Sequence, residues 1–202
     1  MKALFSASLL ALAILASGCS DAKEAGRATT TVPPGVDDFL NPVETPPGVV
    51  LERTGLTAVR SGGTRQPIPF GAPIDDVRAN LTPVLGEPHV DEAVEACEGG
   101  AASHQLVWPG FLLIFDNGAF AGWEASGDAG LPILAKEGDI GIGSTLAEVT
   151  EILGPLELES SARGYEFVAS DSQGDTYAGA FESEESSAPL VAFSAGLNCY
   201  VR

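Results

Sequence analysis

The stretch GSTLAEVTEILGP, residues 143–155, has the features of one short capped helix. Thr145 and Glu148 are spaced as a capping box, in which a hydroxyl and a carboxylate three residues apart each accept a backbone N–H of the first turn. The apolar residues that follow at helical spacing are Leu146, Val149 and then Ile152 or Leu153. Gly154 allows a left-handed exit from the helix, and Pro155 prevents its continuation. The stretch therefore predicts a helix with one apolar stripe.

A similar phrase occurs earlier in the chain, as GAPIDDV at 71–77 running on to LGEP at 85–88. Pro73 takes the place of the capping threonine, and Asp76 takes the place of the glutamate of the box. The earlier copy is longer between its valine and its glycine by close to one helical turn. A phrase that is used twice predicts two similar structural units.

Segments typical of strands follow each helix phrase in sets of three. After the first phrase they lie at 104–108, 111–116 and 119–125, and after the second at 164–169, 176–182 and 190–195. The Asn117-Gly118 pair between two apolar runs is among the strongest short hairpin signals. The sequence therefore predicts an α+β domain of two tandem units, at about 65–130 and 131–202. Each unit is expected to be a short helix followed by a three-stranded antiparallel meander, with both helices packed on one face of the sheet.

The start of the chain is typical of a secreted protein. Residues 1–18 combine the basic Lys2, an apolar run and small residues, as a signal peptide does, and the apolar run is too short to span a bilayer unaided. They lead into LASGC at 15–19, which resembles the lipobox of bacterial lipoproteins, with Ala16 where leucine or valine is more common. We therefore expect Cys19 to carry acyl chains that anchor the protein to a membrane outside the cytoplasm. An ordinary signal peptide with an incidental cysteine is the alternative, and the sequence leaves open which membrane holds the anchor.

Composition divides the remaining chain into a tether and a domain. Residues 19–64 contain TTTVPPG at 29–35 and TPPG at 45–48, which are typical of an extended, semi-rigid stalk. Apolar groups at 49–51 and 56–59 leave open the alternative that part of this stalk docks on the domain as an edge strand. Residues 65–202 have the length of one globular domain.

The cysteine count fits an oxidising compartment. Lipidation of Cys19 leaves Cys97 and Cys199, for which we predict a disulfide that ties the chain end to the first half. Closing a loop of that length would stabilise the fold by roughly 4–5 kcal/mol on the chain-entropy account. Two buried free thiols are the alternative. The sequence has no CxxC pair and no Cys/His cluster, so we predict no metal site and no cofactor.

The repeated helix phrase, with Leu-Gly-x-Pro at its end and a meander after it, resembles the repeat of the β-lactamase inhibitory protein fold. That fold includes small outer-membrane assembly lipoproteins of the BamE/SmpA type. The resemblance covers the helix phrase in each unit, and it implies a protein that binds other proteins through an exposed sheet face. The inhibitor closes a bridge within each unit, whereas Cys97 and Cys199 fall in different units here. No residues that identify the contacts with β-lactamase are found, which leaves that target unsupported.

Charge restricts the partners. The formal net charge of the chain is −18 at pH 7, so its surface repels nucleic acid and anionic headgroups and favours basic partners or divalent cations. We exclude nucleic-acid binding. A role of the acidic residues in solubility alone is the other interpretation, since charge runs such as 182–185 are usually solvated.

Motifs for catalysis are largely missing. The sequence has no GxSxG, HExxH, Walker loop or complete GxGxxG. His89 and His104 have no candidate nucleophile near them, which favours a structural or surface role for both. Residues 171–175, DSQGD, offer oxygen ligands near a glycine but lack the remaining ligands of an EF-hand.

The aromatic residues give a candidate binding surface. Trp108, Trp123, Tyr165 and Tyr177 fall on predicted strands, and exposed tryptophan and tyrosine often anchor protein interfaces. Packing in the core is the other interpretation for each of them.

Together these features predict a membrane-anchored extracytoplasmic lipoprotein that is not an enzyme and binds another envelope or secreted protein. The alternatives are an envelope hydrolase that uses acidic residues and a module that binds a small ligand or a cation. The identity of the partner and the oligomeric state are not predicted.

Overall fold

Strands dominate the structure, a computed structural model that describes residues 46–94, 102–127, 133–134 and 140–198. All of them lie in the unit Val43–Arg202. The elements before the second helix are β1 (Gly48–Glu52), β2 (Gly55–Val59), β3 (Arg65–Pro69), α1 (Ile74–Leu85), β4 (Val90–Ala93), β5 (Ala102–Trp108), β6 (Phe111–Asp116), β7 (Ala119–Ser126) and β8 (Ile133–Leu134). The elements from the second helix onward are α2 (Leu146–Leu153), β9 (Glu159–Ser161), β10 (Gly164–Ser170), β11 (Thr176–Phe181) and β12 (Leu190–Gly196).

The strands form two sheets. The large sheet has eight antiparallel strands in the order β4-β5-β6-β7-β12-β11-β10-β9. It thus consists of two runs of four consecutive strands, and we call the β7–β12 pairing that joins them the seam. The small sheet has the antiparallel strands β1, β2 and β3, and the two-residue β8 extends it by pairing parallel to β1.

The core lies between the two sheets. β1 and β2 read GVVLE and GLTAV, and nine of these ten residues are buried, as expected for strands covered on both faces. α1 lies against β1 and β2 and also contacts β7. One apolar cluster joins strand residues of both sheets with Val77 and Leu81 of α1. Among the described strands, β3 is an edge strand of the small sheet. It carries Pro67 and Pro69, and an edge strand tolerates proline because one side of it has no ladder to lose.

Both helix phrases attach their helix to a strand of the seam. Before α1, the backbone of Gly71 donates to Phe120 O at 2.7 Å, and Phe120 N donates to Ala72 O at 2.8 Å. Before α2, Gly143 N donates to Leu190 O at 2.8 Å, and Leu190 N returns a bond of the same length to Ser144 O. Each helix therefore begins where β7 or β12 begins.

Several local predictions are confirmed. α2 begins at the predicted capping box, with the Thr145 side chain and the Glu148 side chain each accepting from the other's backbone N–H. α1 has Pro73 at its N-cap, where no side chain caps the helix. Asn117 and Gly118 have φ angles of 49° and 79°, as their hairpin turn requires.

The predicted α+β fold of two helix-plus-meander units is wrong. The structure is mostly β, because the first three strands form a sheet of their own and the short polar strands β4 and β9 add to the large sheet. α1 packs on β1 and β2 of the small sheet, which the prediction did not include, and also contacts β7 of the large sheet. Residues 48–59, which composition placed in the tether, form the buried strands β1 and β2. In the part of the chain that the structure describes, no helix has the length and apolar character to cross a membrane.

Candidate functional site

The large sheet has an outer face, the side turned away from the small sheet. Side chains alternate along each strand, so the residues between the core positions of β7, β12, β11 and β10 point to this side. The strand register places Glu124, Ser194, Ala178 and Val168 in one row across these four strands. Small side chains therefore occupy the middle of the outer face, and larger or charged ones lie on either side.

A groove of about 180 Å³ follows this row, and we call it the outer groove. Its floor includes Ala178, Gly179, Ala192 and Ser194, and Val168 forms its apolar wall. The side chain of Phe167, the residue before Val168, is buried in the core. The charged residues of the lining are Glu157, Glu159, Glu166 and Arg163. Val168 is 47% exposed, more than any other large apolar residue in the described part of the chain. The groove thus combines small apolar surface with an acidic rim.

An ion pair crosses the outer face at the groove. Arg163 lies in the turn between β9 and β10, and its Nη2 donates to Oε1 of Glu124 on β7 at 2.8 Å. β11 and β12 lie between these strands, a separation of three steps of about 4.8 Å each. The arginine side chain therefore extends over the small residues of β11 and β12. Glu124 is 7% exposed, whereas the Arg163 side chain keeps 32% of its surface in contact with solvent.

Ser161 fixes the turn that carries Arg163. Its hydroxyl donates to Oε1 of Glu166 at 2.9 Å and accepts the backbone N–H of Arg163 at 3.0 Å. Glu166 also lies directly opposite Glu159 in the pairing of β9 with β10. Like charges in such a cross-strand pair destabilise a sheet. The rim thus holds two neighbouring carboxylates whose repulsion a cation would relieve.

Three of the four aromatic residues predicted to bind a partner are in the core. Trp108, Trp123 and Tyr177 are at most 1% exposed, and Tyr165 is partly buried. The two indole N–H groups donate to backbone carbonyls, Trp108 to Gly86 at 3.0 Å and Trp123 to Glu52 at 2.9 Å. As placed, the three buried side chains offer no surface to another protein. Trp123 faces the small sheet, since its partner Glu52 ends β1, whereas Trp108 faces the end of α1, which Gly86 caps.

His104 belongs to a cluster at the edge of the large sheet. Its Nε2 lies 2.6 Å from Oδ1 of Asp91, and Arg78 of α1 binds the other carboxylate oxygen with Nη2 at 2.7 Å. The hydrogen bond from His104, followed by those from Arg78, holds the pKa of Asp91 below its usual value. This cluster ties α1 to β4. His89 is exposed, and its backbone N–H donates to Val107 O on β5 at 2.7 Å.

The acidic loop at 171–175 uses its first carboxylate to stabilise the turn. Oδ1 of Asp171 accepts the backbone N–H groups of Gln173 at 2.8 Å and of Asp175 at 3.0 Å. Across the described residues, no group of three or more histidine, cysteine, aspartate or glutamate side chains is arranged to hold a metal ion. The predicted lipid site Cys19 and the predicted disulfide partners Cys97 and Cys199 lie outside the described residues.

Sequence reasoning did not find the outer groove. One signal for its floor was present, because Ala178 lies next to Gly179 on one strand, and Ala192 and Ser194 are small residues at alternate positions of its neighbour. Nothing in the sequence indicated a role for Arg163. Its partner Glu124 lies on β7 of the other run, and only the seam brings the two runs together.

No family model, curated protein or solved structure matched this chain. The resemblance to the β-lactamase inhibitory protein fold therefore stays a prediction from the repeated phrase.

Proposed function

We propose that this protein is a lipid-anchored extracytoplasmic lipoprotein that binds another protein through the outer face of its large sheet, without catalysis. The observation that carries the proposal is the outer groove, an exposed depression with an apolar wall at Val168 and an acidic rim. Exposed apolar surface bordered by polar residues is typical of interaction sites.

The size of the groove favours protein binding over the small-ligand alternative. Pockets for small molecules usually have volumes of about 300–1,000 Å³. The outer groove has about 180 Å³ and is open along the sheet. It suits a few side chains of a partner better than an enclosed molecule. The hydrolase alternative stays a prediction, which a screen of the full chain against chromogenic glycosides and esters tests.

Anchoring is proposed on the sequence of residues 15–19 and has its own test. Metabolic labelling with a fatty acid should mark the full chain, and Cys19→Ser should remove the label and release the protein from the membrane fraction. An unlabelled wild-type chain in the soluble fraction would contradict the anchor, and it would leave the binding proposal untouched.

Photocrosslinking tests the binding surface. A photoreactive phenylalanine analogue replaces Val168 in the outer groove or, as the matched control, Ile152 on α2, because these side chains are 47% and 41% exposed. In whole cells we expect a covalent adduct with a discrete protein from position 168 that position 152 does not give. The same adducts from both positions, or none from 168, would refute binding through this face.

A further inference from the structure

We propose that the outer groove receives a lysine or arginine side chain from an extended segment of the partner protein. This inference rests on the proposed function and specifies the chemistry of its partner. Three properties of the groove support it, namely its size, its charge and the arrangement of its apolar surface.

The volume matches one side chain. A cavity of about 150 Å³ in a protein core holds a benzene molecule, so the 180 Å³ of the outer groove accommodates one long side chain. The floor leaves this space because Ala178, Ala192 and Ser194 are small.

The charge of the lining selects a cation. Glu157, Glu159 and Glu166 contribute three carboxylates, whereas the one basic residue of the lining, Arg163, is bound to Glu124. An ammonium or guanidinium group between Glu159 and Glu166 would remove the repulsion of this cross-strand pair. The net charge of −18 on the whole chain attracts the same kind of partner over longer distances.

The apolar wall argues against a bare metal ion. Val168 and Ala178 supply no ligand atoms from their side chains, and the described residues contain no group of acids or histidines arranged around a metal. Lysine and arginine bury an aliphatic stem along apolar surface while their charged end stays in a polar environment. A groove with one apolar wall and one acidic rim fits both parts of such a side chain.

The sheet edge beside the groove favours an extended segment. β9 is the last strand of the large sheet, and among the described strands none pairs with the edge of β9 that faces away from β10. Such an edge presents unpaired backbone groups to a segment that adds as a further strand. Glu159 of β9 is also part of the groove lining, so a strand added there lies next to the acidic rim.

A binding assay with the full chain tests the proposal. The probe is a short fluorescent peptide in which lysine alternates with serine, and fluorescence anisotropy measures its dissociation constant at physiological salt. The groove variant carries Glu159→Gln and Glu166→Gln. The control carries Glu184→Gln and Glu185→Gln, exposed residues of the β11–β12 loop that change the net charge by the same amount. Circular dichroism confirms that both variants are folded.

We expect the groove variant to weaken peptide binding at least about tenfold, whereas the control stays within about twofold of the wild type. A peptide with acetylated lysines should not bind, and spermidine should compete only weakly. Equal loss in the groove and control variants would show attraction by the overall charge alone and overturn the proposal. Equal binding of the acetylated peptide, or a tighter affinity for spermidine, would overturn it as well. A failed peptide assay together with a specific adduct at position 168 would leave the proposed function standing and remove only this inference.

Discussion

Gly122 of β7 lies where another part of the main chain crosses the sheet. A Cβ atom built on Gly122 would lie 1.9 Å from the carbonyl oxygen of Leu197 and 2.7 Å from its carbonyl carbon and nitrogen. The next residue, Asn198, lines the outer groove. Gly122→Ala therefore forces the backbone after β12 away from the sheet and displaces one end of the groove.

The loss of stability in Gly122→Ala depends on how far the main chain at Leu197 must move. Overpacking a core position costs about 1–3 kcal/mol, and the high end applies here because the neighbour is main chain. Leu197 N also donates to Ala121 O at 2.8 Å, and loss of that hydrogen bond adds about 1 kcal/mol. Alanine also reduces the conformational entropy of the unfolded chain, which offsets the loss of stability by about 0.4–1 kcal/mol. We expect a net loss of about 3 kcal/mol, which lowers Tm by roughly 6–12 °C for a domain of this size.

Gly127 provides a matched control near the same strand. A Cβ built on it meets no atom within 4 Å, and its φ lies outside the left-handed region. Gly127→Ala should leave stability unchanged or raise it by less than about 1 kcal/mol. Guanidinium unfolding followed by tryptophan fluorescence measures both variants, because Trp108 and Trp123 are buried. A Gly122→Ala protein within about 0.5 kcal/mol of the wild type, or equal losses in both variants, would refute this account of the crossing.

Three further predictions concern polar contacts. Asp91→Asn should cost about 1 kcal/mol or less at pH 7, because about a third of the Asp91 side chain contacts solvent, which screens its ion pairs. Because the pKa of Asp91 is lowered in the folded state, its contribution to stability is present at neutral pH and is lost as the pH falls below about 4. The difference in free energy of unfolding between the wild type and Asp91→Asn, measured in urea, should therefore shrink on acidification. A difference that is constant down to pH 3 would contradict the bond with His104. Thr145→Ala should lower the free energy of unfolding by about 1 kcal/mol, whereas Thr145→Ser, which keeps the capping hydroxyl, should keep most of the wild-type stability. Thermal denaturation that shows the two variants to be equally stable would rule out the cap. Arg163→Met should lower the free energy of unfolding by about 2 kcal/mol, because it removes the arginine from the buried carboxylate of Glu124. The loss is smaller than for a fully buried pair, since the arginine is one-third exposed. A change below about 0.5 kcal/mol in urea unfolding would argue against the pair.

Local structure was predictable where neighbouring residues decide it. The capping box of α2 lies within one turn, and the Asn117-Gly118 turn depends on the backbone freedom of two residues. Six of the eight strands in the two runs were also predicted, since apolar residues and turn residues mark their limits. Sequence alone could not show which strands share a sheet, because that is set by pairing between distant segments.

The errors have the same physical origin. Residues 48–59 were placed in the tether from the prolines around them, with docking as an edge strand left open, and they form the two buried strands β1 and β2. β4 and β9 are short, polar edge strands with no apolar alternation, so only their partners reveal them. Trp123 could be placed on a strand, but its burial depends on the small sheet, which was not predicted.

The outer groove depends on tertiary pairing even more strongly. Glu124 and Arg163 meet only because β12 and β11 lie between their strands in the final sheet. The acidic composition predicts a basic partner, but it could not locate the surface that would bind one.

The seam has a consequence for how this chain reaches its fold. Within each run, every strand pairs with its neighbour along the chain, whereas the seam brings Trp123 opposite Ala195. Because pairing between distant segments costs more loop entropy, we expect the two runs to form before the seam closes. Until then β7 and β12 are open edges with complementary registers, and at high concentration the β7 edge of one molecule can pair with the β12 edge of another. Exchange of whole runs between two chains is therefore the expected form of misassembly, and dilution during refolding should suppress it.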